Sequence, residues 1–129
     1  MVHNIKVLLV DDEADFRQLM TAWLEGKGYS VTAVSGGEEA ISLVKKDDFN
    51  ILFLDLRMPG MDGREVLKRI REFNKELPII VITAYVNELT PGEMGEHSVS
   101  GVFYKEKNLE EVLPLLESAL KAHKGLKEE

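Results

Sequence analysis

Five polar side chains stand where short apolar runs stop. Asp11 and Asp12 follow residues 6–10 (KVLLV), Asp55 follows residues 51–54 (ILFL), Thr83 follows the apolar run 77–82, and Lys105 follows residues 101–104 (GVFY). Three carboxylates gathered in one crevice repel one another unless a cation is present. An all-oxygen set without His or Cys suits a hard ion, Mg2+ in preference to zinc. A hydroxyl and an ammonium beside it supply donors to the oxygens of a transferring phosphoryl group, whose reaction demands mainly positioning and charge neutralisation. One carboxylate is then free to act as the nucleophile and become an aspartyl phosphate. Position does not choose which, although Asp55 stands alone while Asp11 and Asp12 form a pair. Each residue also has an ordinary reading: Asp55 as a solvated turn residue, the acidic pair as a turn or a helix N-cap, Thr83 as a β-branched strand residue, Lys105 as a surface lysine. The chemistry depends on whether the groups reach one place.

The elements that would bring them there follow from hydrophobic spacing. Residues 6–10, 51–54 and 77–82 are continuous apolar runs, too short for helices and of the right length for strands buried on both faces. Residues 29–34 alternate and suit an edge strand, and residues 101–104 supply a fifth strand. Between them lie helical patterns. Phe16, Leu19, Met20, Trp23 and Leu24 fall on one helical face; Ala40, Ile41, Leu43 and Val44 mark a second helix after Gly36 and Gly37; Val66, Leu67, Ile70 and Phe73 mark a third, beginning near Asp62. Thr90-Pro91-Gly92-Glu93 reads as an N-cap, a proline at the first helical position and a capping-box glutamate, although Gly92 and Gly95 imply a short helix. A last helix spans 108–124, with Pro114 implying a kink or a late start.

Strands alternating with helices imply an α/β fold: a doubly wound, flavodoxin-like, five-stranded parallel sheet of order 2-1-3-4-5, with helices on both faces. In such a sheet all C-terminal strand ends share one edge, and ligands bind where the strand order reverses, between strands one and three. Those strands carry Asp12 and Asp55. The rim therefore collects Asp11, Asp12, Asp55, Thr83 and Lys105 by topology.

Composition bounds the rest. The chain has 129 residues, enough for one domain, with 44% hydrophobic and 30% charged residues, a globular balance. Cysteine is absent, which excludes disulfides, thiolate metal sites and cysteine nucleophiles. A net charge of −7 argues against direct nucleic-acid binding, which needs clustered Lys and Arg. No apolar run reaches the roughly 20 residues needed to span a bilayer, so no membrane partner is expected. The start, MVHNIK, lacks a secretory pattern, so a cytoplasmic location is expected. His3, His97 and His123 have no metal-like spacing and are read as solvent-facing; Met58 and Met61 are read as loop packing, and Trp23 as core.

With these residues in order, the chain resembles the receiver domains of two-component response regulators over nearly its whole length. The family's pattern of an acidic pair, a phospho-accepting Asp, a Thr or Ser and a Lys at successive strand ends matches LVDDE, LDLRMPGMDG, VITAY and VFYKEK. The resemblance implies a receiver domain over residues 1–124, with 125–129 a polar tail or linker stub. It implies that Asp55 takes a phosphoryl group from a histidine kinase or phosphotransfer protein. Asp12 and Asp55 would bind Mg2+ directly, Asp11 directly or through water, and the Arg57 carbonyl would supply a further ligand. Thr83 and Lys105 would contact the phosphoryl oxygens. A downstream output domain or protein, and a phosphorylation-dependent dimer, belong to the same implication. The chain would catalyse its own phosphorylation and dephosphorylation without being a turnover enzyme.

Two positions depart from the pattern. The family usually has proline after the strand-five lysine, and Glu106 stands there; a non-prolyl cis bond costs about 2.5–4 kcal/mol, so a trans peptide and a rearranged loop are expected. Val102 occupies the position of the family's switching aromatic, while Phe103 faces the other way by alternation. These departures imply an altered output face, with rearrangement of residues 86–95 in place of the usual Thr-to-aromatic coupling. They also keep open a receiver-like interaction module that is never phosphorylated. A Mg2+-dependent aspartyl-phosphate phosphohydrolase would need an Asp where Arg57 stands, and a flavin-binding domain would need a phosphate loop that does not follow the first strand. Arg57 and Tyr85, each two residues beyond a site residue, are expected to flank the entrance and slow hydrolysis of the acyl phosphate.

Overall fold

The computed structural model describes residues 4–122. Runs of aliphatic and β-branched residues form five strands, β1 (Lys6–Val10), β2 (Ser30–Val34), β3 (Ile51–Asp55), β4 (Ile79–Thr83) and β5 (Gly101–Tyr104). All pair in parallel, in the order β2-β1-β3-β4-β5, as the alternation of elements implied. The connecting helices are α1 (Ala14–Gly26), α2 (Gly37–Lys46), α3 (Gly63–Phe73), α4 (Pro91–Glu96) and α5 (Val112–Ala122).

Every residue of β3 and β4 is buried, because helices cover both faces of the central strands. Leu52 and Leu54 pack with Ala40, Ile41, Val66 and Ile70 of α2 and α3, while Ile51 and Phe53 pack with Met20, Leu24, Val112 and Leu116 of α1 and α5. Strand β5 alternates in the same way: Val102 lies against the first cluster and Phe103 within the second.

Local chemistry fixes the loops on the site side. Asp62 caps α3 by accepting the Arg64 N–H at 2.9 Å. The next residue is glycine for a steric reason: a Cβ on Gly63 would lie 2.5 Å from both the Asp55 carbonyl oxygen and the Leu56 Cα. The start of α3 is thereby pressed against the backbone that carries Asp55. At α4 the expected capping box is present, with Thr90 and Glu93 exchanging bonds of 3.1 and 3.0 Å.

Other expectations need correction. Leu19, placed by periodicity on the buried face of α1, is 57% exposed, and Phe73 at the end of α3 is 41% exposed with the Lys45 ammonium 5.3 Å above its ring. Trp23 is only partly buried, at the margin of the second cluster. The last helix does not begin at Asn108. A 3-10 turn, Leu109–Glu111, comes first, and Pro114 falls at the third residue of α5, where a backbone N–H has no intrahelical partner to lose. His97 is half-buried at the end of α4 rather than solvent-facing. The readings of His3, His123 and the tail 125–129 lie outside the described residues. None of the described helices is long and apolar enough to cross a membrane.

Candidate functional site

Strand order reverses between β1 and β3, and the acidic residues meet there. Asp11, Asp12 and Asp55 each offer a carboxylate oxygen, all within 4.8 Å of one another. Asp11 is fully buried and Asp55 is 3% exposed, while Asp12 is half-buried. Backbone donors orient the two buried carboxylates: Glu13 N–H donates to Asp11 Oδ1 at 2.8 Å, and Arg57 N–H donates to Asp55 Oδ1 at 3.1 Å. The Arg17 guanidinium donates to the Asp11 carbonyl at 2.7 Å, tying α1 to the end of β1.

Lys105 reaches this group from the sheet's far side. Its ammonium lies 3.0 Å from Asp11 Oδ2 and 3.4 Å from Asp55 Oδ2, pairs closely with Glu13, and sits 4.9 Å from the centre of the Phe16 ring. The Lys105–Glu106 peptide is trans, as expected, since the described residues contain no cis bond. The absent proline does not misdirect the lysine. Its backbone N–H donates to the Thr83 carbonyl at 2.9 Å, extending the β4–β5 ladder past the strand ends. Thr83 itself is buried, its hydroxyl accepting the Tyr85 N–H at 3.0 Å. A cavity of about 240 Å3 opens beside these groups, lined by Asp12, Glu13, Asp55, Arg57, Ala84, Tyr85 and Lys105. At its mouth the Arg57 guanidinium stacks over the Tyr85 ring at 4.4 Å, so the two expected entrance residues are in contact.

Electrostatics follow from this crowding. Burial, and then the charge of Asp11, push the Asp55 carboxyl up to about 7; the Arg57 N–H and the Lys105 ammonium pull the other way without overcoming them. Lys105 is shifted further up. Burial opposes its charge, but bonds to Glu13 and Asp11 and the nearby Asp55 charge outweigh that cost. Asp11 Oδ2 is buried and, although 3.0 Å from the ammonium, has no aligned hydrogen bond. A buried carboxylate oxygen left in that condition, within reach of two other carboxylates, fits a hard divalent cation held by oxygen ligands.

Glu13 and Phe16 were missed as neighbours of Lys105. Glu13 was visible as the third acid of LVDDE, but its partner lies 92 residues away and nothing local signals the pairing.

The reversed strand order with an acidic pocket at its switch point defines a flavodoxin-like α/β protein. Within that class the chain belongs to the response regulator receiver domain family, whose sequence model matches residues 7–117. Among curated proteins it is 43% identical over 82 residues to the transcriptional regulatory protein ResD of Bacillus subtilis, covering 64% of this chain and 34% of ResD. It is 32% identical over 121 residues to the transcriptional regulatory protein ZraR of Escherichia coli K12, covering 93% of this chain and 27% of ZraR. The chain thus spans about a third or less of these relatives. Among solved structures it resembles the response regulator TrrA of Thermotoga maritima in complex with Mg2+-BeF, at 29% identity and a TM-score of 0.83, covering 90% of this chain and 99% of that one. It also resembles the chemotaxis response regulator CheY4 of Vibrio cholerae, at 31% identity and a TM-score of 0.84, covering 92% and 100%.

Proposed function

We propose that Asp55 is the phospho-acceptor of this receiver, with Asp11 and Asp12 as its acidic partners and Thr83 and Lys105 as donors to the phosphoryl oxygens. A single observation carries the reading: the Asp55 carboxylate faces a cavity of about 240 Å3 with the Lys105 ammonium 3.4 Å away, its Oδ1 oriented by the Arg57 N–H and its backbone pressed by the start of α3. An Asp55 oxygen attacks phosphorus, the P–N bond of a donor phosphohistidine breaks, and its electron pair leaves on the imidazole nitrogen, which takes up a proton. Lys105 stabilises the charge that spreads over the phosphoryl oxygens. Thr83 must turn its hydroxyl from the Tyr85 N–H towards the phosphoryl group to donate.

Asp11, Asp12, Asp55 and the Arg57 carbonyl would hold Mg2+, which when bound supplies neutralisation of the clustered negative charge. Burial, and then the neighbouring Asp11 charge, lift the Asp55 carboxyl, and a bound cation would relieve both, which supports that assignment. The solved relative TrrA carries Mg2+-BeF, which supports the same chemistry for this chain. A histidine kinase or phosphotransfer protein on one side, an output domain or protein on the other, and a cytoplasmic setting complete the reading. The reaction is the chain's own phosphorylation and dephosphorylation, followed by a shift in conformational population.

Intact-mass measurement after incubation with acetyl phosphate tests it. The expected result is the gain of one phosphoryl group that needs both Mg2+ and Asp55, absent in Asp55→Asn. A chain that stays unmodified under conditions where it is folded and metal-loaded would instead support the inert interaction module.

A further inference from the structure

A network of charged side chains ties the phosphorylation site to the segment after β4. Arg57, two residues beyond Asp55, lines the site cavity and also a second, open groove of about 550 Å3 lined by Leu56, Met58, Pro59, Asp62, Arg64 and Glu88. Its Nε donates to both Glu88 carboxylate oxygens, at 3.1 and 3.2 Å. Arg64 of α3 grips the same segment from the other side. Its Nη1 lies 3.6 Å from Glu88 Oε2, its Nη2 donates to the Glu88 backbone carbonyl, and its Nε donates to Glu93 at 2.6 Å. The Glu93 carboxyl is held down at about 2, by Arg64 first and the Thr90 N–H next. Glu88 is thus shared by two guanidiniums, with its side chain only 10% exposed.

The tip of the segment is exposed, although Leu89 beyond it is buried in the first core cluster. Tyr85 and Val86 are both largely exposed, and Asn87 sits at φ 68, in the left-handed region that side-chain-bearing residues seldom occupy. Such a backbone persists where its surroundings enforce it. Here the buried Leu89 anchors one end, and ion pairs to α3 and to the β3–α3 loop hold Glu88 beside it. Arg57 is the weak member, because its side chain is 62% exposed and its pair with Glu88 is correspondingly cheap to break.

We propose that Arg57, Glu88 and Arg64 form a latch holding residues 84–93 in the unphosphorylated arrangement, and that a phosphoryl group on Asp55 opens it by drawing the Arg57 guanidinium off Glu88. The inference rests on Asp55 being the acceptor. Phosphorylation places a dianion in the cavity that Arg57 already lines, so the guanidinium exchanges one shared carboxylate for a more highly charged partner. Glu88 then keeps only Arg64, the Tyr85 stack is lost, and the loop around Asn87 is free to relax. Val102 has no ring to transmit a movement of Thr83, so this charge exchange takes over that role.

Hydrogen exchange read by mass spectrometry on the full chain tests the latch, using wild type and Glu88→Gln, each with and without acetyl phosphate and Mg2+, and intact mass to confirm loading. In wild type, exchange across 84–93 is expected to accelerate about fivefold on phosphorylation, while β3 stays protected. In unphosphorylated Glu88→Gln the same segment is expected to exchange about fivefold faster already, with little further change on loading. If Glu88→Gln loosens β3 as well, Arg64→Gln replaces it: the segment is expected to exchange faster before loading and faster again after it, as Arg57 leaves Glu88. A wild-type chain that gains the phosphoryl group while 84–93 stays unchanged overturns the latch and leaves the acceptor reading intact. A chain that gains none removes both.

Discussion

Replacing Asp55 by asparagine is expected to stabilise the metal-free chain, by an amount that depends on pH. Burial and the Asp11 charge raise the folded-state Asp55 carboxyl from 3.8 to about 7. Below about pH 4 the group is protonated in both folded and unfolded chains and costs nothing. Between about pH 4 and pH 7 the folded chain binds the extra proton, so stability falls as pH rises, and above pH 7 the loss is complete. At 1.36 kcal/mol for each tenfold change in proton affinity, a rise from 3.8 to about 7 amounts to about 4 kcal/mol, a large part of the 5–15 kcal/mol typical of a domain. Asparagine keeps a similar shape and an oxygen for the Arg57 N–H, but cannot ionise. The variant should therefore match wild type near pH 4 and exceed it by about 3–4 kcal/mol at pH 8. Urea denaturation at several pH values, followed by far-UV circular dichroism, measures the difference, and titratable groups remote from Asp55 cancel between the two chains. Saturating Mg2+ should recover wild type more than the variant, by about 1.4 kcal/mol per tenfold excess over the dissociation constant. A stability difference that is flat from pH 4 to pH 8 would refute the account of a charge-crowded, buried Asp55.

Three further outcomes follow from the same geometry. Lys105→Met removes the ammonium shared by Asp11, Glu13 and Asp55, and should slow phosphorylation by acetyl phosphate about 100-fold in an intact-mass time course. Gly63→Ala forces a Cβ to 2.5 Å from the Asp55 carbonyl oxygen and should cost at least about 2 kcal/mol in thermal or urea unfolding, with phosphorylation slowed as well; an unchanged midpoint would contradict the close approach. Arg57→Ala combined with Tyr85→Ala strips the stacked pair from the cavity mouth, so the acyl phosphate should decay several-fold faster, whereas an unchanged lifetime would remove the shielding role.

Much of this was legible because strand-end position is a topological property. Once residues 6–10, 51–54 and 77–82 read as buried parallel strands, Asp11, Asp55 and Thr83 had to share an edge, and they do. The alternation that separates Val102 from Phe103, and the Thr90-Pro91-Glu93 start of α4, were equally local and equally readable. Periodicity failed at Leu19 and Phe73, since a helical stripe gives direction but not how far neighbouring elements extend over it. The trans Lys105–Glu106 peptide was readable from the missing proline, but the continuation of the β4–β5 ladder to the Lys105 N–H was not, because it depends on strand register. Pairings such as Glu13 with Lys105, or Arg64 with Glu88 and Glu93, join residues far apart in sequence and leave no local trace. The raised Asp55 carboxyl depends on burial and on the distance to Asp11, both products of the finished fold.

Borohydride trapping locates the phosphorylated residue itself. Hydride reduces an aspartyl phosphate to homoserine, so treatment after incubation with acetyl phosphate and Mg2+, followed by peptide mass mapping, identifies the acceptor by position. Homoserine at residue 55, and at no other aspartate, is the result the account requires. Homoserine at Asp11 or Asp12, or none in a chain that has gained a phosphoryl group, would contradict it.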